Sequence, residues 1–107
     1  MQAPSIFEPD RAAQVMTLVA QVYGVPVDQL AHSRAWKDSA ARQVAIYLAH
    51  VVFAMKFGDL SSAFGRARST TLHAVRRVEA ARDNPHVDRT LDWLESLLRA
   101  TTGETVQ

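Results

Sequence analysis

The chain has 107 residues, of which 12 are Lys or Arg and 11 are Asp or Glu, for a formal net charge of +1. That length suits one domain, and 48% apolar with 21% charged residues is an ordinary globular balance. With no cysteine, disulfides, thiolate zinc sites and thiol nucleophiles are excluded. No run approaches the roughly 20 apolar residues of a membrane span.

Residues 1–10 lack a basic stretch followed by an apolar run, so no secretory signal is read there and a cytoplasmic location is expected. Four glycines and four prolines favour helices over a hairpin-rich sheet. Residues 1–9 read as a loose arm. Asp10 is suited to cap a first helix, because its carboxylate can accept the free amides of the first turn. Val15, Leu18, Val19 and Val22 follow helical spacing and predict one buried face. Gly24 suits a left-handed C-terminal position, and Pro26 opens a short turn or helix through Leu30. A polar connection over 31–39 leads to a long helix over 40–57. Val44, Ala45, Leu48, Val51, Val52 and Met55 repeat along it, and Ile46, Tyr47 and Phe53 add apolar mass on its other sides. Such a helix is expected at the centre of the fold. Gly58 is expected to end it, with Asp59 capping a short segment over 60–64.

Gly65 breaks that segment, and Ser69 is the expected N-cap of a further helix over 70–83. Leu72, Val75 and Val78 point inward on it, leaving Thr70, His73 and Arg77 exposed. Pro85 separates it from a last helix with Val87, Leu91, Leu94 and Leu98 as its buried stripe. Residues 101–107 read as a frayed tail, so the domain is expected over 10–100. The fold class is all-α, five or six helices around one core. It contains a helix-turn-helix: support over 59–64, turn over 65–68, recognition helix over 69–83.

Net charge conceals its distribution. From His32 to Arg77 there are eight cations (Arg34, Lys37, Arg42, Lys56, Arg66, Arg68, Arg76, Arg77) against Asp38 and Asp59, a local balance of +6. The remainder of the chain carries −5. A helix-turn-helix places the N-terminal residues of its second helix against base edges in the major groove. Here those residues are Ser69 and Thr70, small and hydrogen-bonding, with Arg66 and Arg68 beside them. Arg68 has the fork geometry for bidentate contact with guanine.

The segment Gly65-Arg66-Ala67-Arg68-Ser69-Thr70-Thr71-Leu72-His73-Ala74 resembles the signature GGRDHTTVLHA of the C-terminal DNA-binding domain of the bacterial replication initiator DnaA. The basic run Val75-Arg76-Arg77-Val78-Glu79 continues the likeness. Upstream, Tyr23-Gly24-Val25 with Asp28-Gln29-Leu30 is similar to the family's Y-x-V-x-x-x-D-L. Residues Ala41 to Ala49 are similar to its PRQ-x-A-M-Y-L-A helix, and Ala63-Phe64-Gly65 to the end of its supporting helix. The likeness runs from about residue 15 to residue 83. It implies a module that binds double-stranded DNA, with Arg34 in the minor groove and Arg68, Ser69 and Thr70 in the major groove. Arg42, Gln43, Arg66, His73 and Arg77 are the expected phosphate contacts.

Three departures bear on specificity. One glycine before Arg66 is missing, the family's Asp–His pair is Ala67–Arg68, and Thr71 stands where the family is apolar. Trp36 and His32 also occupy positions where the family has basic residues. An altered site preference is therefore expected. No phosphate-binding G-x-x-x-x-G-K-[ST] motif is found in the sequence. The resemblance thus implies an accessory regulator of replication initiation or of transcription, acting as a monomer without catalysis, metal or cofactor. An alternative reading is an adaptor that binds the initiator or its regulators through acidic outer helices.

The remaining candidates have structural readings. His32, His50, His73 and His86 lack metal spacing. His50 is expected to be structural or to lie at a solvent edge, and His73 to touch phosphate or a neighbouring backbone group. Asp88, Asp92 and Glu95 read as a solvated face, and Trp93, beside Leu94 and Leu97, as core. Trp36, in a polar connection, has no evident packing partner, and contact with a sugar-phosphate backbone is the functional reading for it.

Overall fold

In the computed structural model, which describes residues 10–102, the carboxylate of Asp10 accepts the Ala13 amide proton at 3.1 Å and starts the first helix, α1 (Arg11–Tyr23). Gly24 ends it at φ 67°, a left-handed value that costs glycine nothing sterically. Pro26 precedes α2 (Val27–His32). The long helix α3 (Trp36–Phe53) follows, then α4 (Phe57–Phe64), α5 (Arg68–Ala81) and α6 (Pro85–Thr102). Among the described residues there are six helices and no strand, as the spacing predicts. None of these helices is long and apolar enough to cross a membrane.

Helix α3 is the axis of the fold and touches every other helix. Ala41, Ala45, Ile46, Leu48 and Ala49 are sealed from solvent along it. The alanines at 41, 45 and 49 share one face and let neighbouring backbones approach closely. Val15 and Val19 from α1, Leu30 from α2, Leu60 and Phe64 from α4, and Val75 and Val78 from α5 close around it. Leu91, Leu94 and Leu98 complete the core from α6. Each fully buried leucine contributes about 2 kcal/mol of hydrophobic stabilisation.

Several boundaries differ from the sequence expectation, each for a local reason. Helix α3 begins at Trp36, four residues early, after the Ser33 hydroxyl accepts the Ala35 amide at 3.0 Å. It ends at Phe53 rather than 57. Ala54 turns left-handed at φ 55°, and His50 Nδ1 donates to the Met55 carbonyl at 2.9 Å while its ring stacks on Phe57, centroids 4.7 Å apart. That latch makes His50 a structural residue and leaves Gly58 inside α4. The N-cap of α4 is Lys56, so Asp59 lies in the first turn instead of capping. Val22 is 38% exposed and Trp93 52% exposed, both outside the core. Trp93 is displaced because α6 turns Leu91, Leu94 and Leu98 towards α3, and the residue before Leu94 falls on the flank. The expectations for 1–9 and 103–107 lie outside the described residues; residues 101 and 102 continue α6.

Candidate nucleic-acid interface

The turn between α4 and α5 closes in three residues. Gly65 caps α4 at φ 62°, and its amide donates to the Ser61 carbonyl. The Arg66 amide donates to the same carbonyl at 3.1 Å, and the Ser61 hydroxyl donates back to the Arg66 carbonyl. Ala67 is extended and becomes the N-cap of α5 in place of the expected Ser69. Alanine has no acceptor to offer, so the first-turn amides of α5 receive no side-chain cap. Such amides, with the positive end of the helix dipole behind them, suit an anion. Thr71 is fully buried, and its hydroxyl is satisfied by donating to the Arg68 carbonyl at 2.6 Å. A polar residue therefore occupies a core position without an unpaired group.

Arg68, Ser69, Thr70, His73, Arg76 and Arg77 are all exposed along α5. Helices α3 and α5 lie side by side, and a concavity of about 310 Å³ runs between them. Ser39, Arg42, Gln43 and Ile46 line one wall, Thr70, His73, Ala74 and Arg77 the other, with Arg66 at the turn. Five expected phosphate contacts, Arg42, Gln43, Arg66, His73 and Arg77, thus border one surface together with Thr70. Arg68 and Ser69 lie at the N-terminal edge of α5, and Arg34 is exposed on the α2–α3 loop.

Two of these arginines also have an architectural task that sequence spacing did not reveal. Arg42 is 9% exposed, and its Nη1 donates to the carbonyls of Leu30 (2.8 Å) and Ser33 (3.1 Å). Arg66 Nη2 donates to the Ala31 carbonyl at 2.8 Å, and its Nε is buried without a partner. Burial lowers the pKa of Arg42, the nearby Arg66 charge lowers it further, and Asp38 one turn earlier opposes the shift. Arg42 pins the last turn of α2 and the start of the α2–α3 loop to α3, and Arg66 pins the last turn of α2 to the helix-turn-helix turn. The carbonyls are neutral, so both charges persist, but the donors they occupy are not free for phosphate.

Residues 12–78 match the family described as the bacterial dnaA protein helix-turn-helix. The chain belongs to that DnaA family. It is 40% identical over 67 residues to the chromosomal replication initiator protein DnaA 1 of Protochlamydia amoebophila, covering 62% of this chain and 15% of that protein. It is 34% identical over 88 residues to DnaA of a Caulobacter species, covering 79% of this chain and 18% of the relative. The chain therefore spans less than a fifth of the length of these relatives. A crystal structure of a DNA replication initiation factor superposes with a TM-score of 0.80 at 27% identity, covering 87% of this chain and 29% of that one. DnaA from Aquifex aeolicus bound to AMPPCP superposes at 0.77 and 26% identity, covering 86% and 28%.

Within this DnaA-type module the acidic residues of α6 differ from expectation. Asp88, Asp92 and Glu95 do not form an independent solvated face but ring Arg82 at the end of α5. Arg82 Nε donates to Asp88 at 2.6 Å, Nη1 to Glu95 at 2.7 Å and to the Tyr47 hydroxyl at 2.9 Å, and Nη2 to Asp92. Burial acts to lower the Arg82 pKa, but its hydrogen bonds to Asp88, Glu95 and Tyr47 outweigh that and raise the guanidinium above its ordinary value. The acids sit at i, i+4 and i+7, one face of a helix, shortly after a helix whose C-cap is arginine. That spacing was the available signal for the cage.

Proposed function

We propose that this chain is a duplex-DNA-binding module whose recognition helix is α5 and whose site preference differs from that of the wider DnaA family. The observation that carries the reading is convergence. Residues from three separate segments, chosen by charge and motif, border one exposed basic surface. Arg68, Ser69 and Thr70 enter the major groove, with Arg68 contacting guanine through its paired nitrogens. Arg34 enters the adjoining minor groove. Gln43, His73 and Arg77 contact phosphates, and Arg42 and Arg66 chiefly hold the two reading elements in register.

Altered preference follows from the turn. Ala67 cannot accept a hydrogen bond from a base amino group, and Arg68 replaces a neutral ring with a fixed cation. In the cell, the module acts in the control of replication initiation or of transcription, a reading supported by relatives named as chromosomal replication initiators. Selection of bound sequences from a random duplex pool at physiological salt tests it. Enrichment of a discrete site with guanine opposite Arg68 is expected, lost on Arg68→Ala. Recovery of unenriched sequence, or of no DNA, contradicts it.

A further inference from the structure

Trp36 is 80% exposed, the most exposed of the large apolar side chains among the described residues. An indole left in water forgoes the burial that makes tryptophan favourable in a fold. Its neighbours Arg34, Ala35 and Lys37 are exposed as well. Trp36 is also held in a fixed place. It opens α3, and the segment before it is held at three carbonyls: Arg42 binds those of Leu30 in α2 and Ser33 in the loop, and Arg66 binds that of Ala31 in α2. Ordering entropy that a flexible loop would lose on binding is therefore already spent in folding.

Its azimuth on α3 matters most. Trp36, Ser39 and Gln43 stand at i, i+3 and i+7, one stripe of the helix. Ser39 and Gln43 line the concavity facing Thr70, His73 and Arg77. Trp36 thus extends the same wall at its N-terminal end, beside Arg34.

We propose that Trp36 is a DNA-contacting residue. Its indole packs on the deoxyribose face of the strand bordering the groove that Arg34 enters, and Arg34 with Trp36 forms a second, preset prong beside α5. This inference rests on the duplex-binding reading above. Tryptophan supplies contact area and excludes water where a lysine would supply only charge, so the prong favours shape and groove width over salt-sensitive attraction.

The chain has two tryptophans, so Trp93→Phe leaves Trp36 as the sole indole reporter. Titration of that variant with a mixed-sequence duplex at low salt should shift the indole emission and shield it from iodide quenching. In the native background, Trp36→Ala should weaken duplex binding about tenfold, in the range of aromatic contacts to nucleic acid, with an unchanged thermal midpoint. Trp36→Phe should retain most affinity, and Trp36→Lys should not restore it. Unchanged emission at saturating duplex, or a Trp36→Lys variant that binds as tightly as the unaltered chain, overturns the assignment while leaving duplex binding intact. Stronger shielding by the matching single strand also overturns it, in favour of unpaired bases. Absence of duplex binding by the unaltered chain overturns the parent reading and this one together.

Discussion

Two regions of the molecule treat charge in opposite ways. At the α5–α6 corner one cation, Arg82, is ringed by three carboxylates and a tyrosine hydroxyl. Along the α3–α5 face, exposed arginines have few acids near them in sequence, since Asp38 and Asp59 are the only two between His32 and Arg77. The first region spends its charges on holding the fold. The second leaves charge available for an anionic partner. A net charge of +1 describes neither, and it is the segregation that carries functional meaning.

The buried brace behind the basic face should give the largest effect. Arg42→Met leaves the Leu30 and Ser33 carbonyls without their guanidinium donor. A loss of about 2–3 kcal/mol in chemical unfolding is expected, with weaker duplex binding because the Arg34 loop is released. Stability loss with full affinity would show that the loop does not contribute to binding. Next come the outward residues. Arg68→Ala and Arg34→Ala should each cost about 1–3 kcal/mol of affinity at a preferred site, with unchanged thermal midpoints. If both variants bind normally, the groove assignments fail.

Arg82→Met should show the reverse pattern. It leaves Asp88, Asp92 and Glu95 repelling one another along α6, and a loss of about 1–2 kcal/mol of stability is expected with duplex affinity nearly intact. The smallest effect belongs to Asp92→Asn. That side chain is 65% exposed, so less than about 1 kcal/mol is expected, and even less in high salt. A variant of either residue that weakened DNA binding more than folding would dissolve the division between the two regions.

Much of this division was legible in the sequence. Helical spacing marks most of the buried stripes of α3 and α6 and, on α5, Val75 and Val78; Thr71 and Ala74 rather than Leu72 complete that stripe, and the Gly65 to Ala74 motif marks the helix-turn-helix. What escaped were side chains acting over a distance. Arg42 and Arg66 reach carbonyls 12 and 35 residues away, contacts that no local spacing encodes. The end of α3 differs because the sequence offers Gly58 as the terminator. The structure instead puts Ala54 in the left-handed region, with a histidine latch to Met55. The periodicity of Asp88, Asp92 and Glu95 is visible in the sequence, but the position of Arg82 against it is not.

The central claim is that the basic face neutralises phosphates of duplex DNA. With Arg42 and Arg66 largely engaged internally, six cations of the basic segment remain exposed: Arg34, Lys37, Lys56, Arg68, Arg76 and Arg77. The most direct measurement is duplex affinity as a function of monovalent salt. A linear fall of log affinity with log salt is predicted, about −0.9 per phosphate contacted and no steeper than about −5 in all. Affinity that does not change between low and physiological salt would contradict the account.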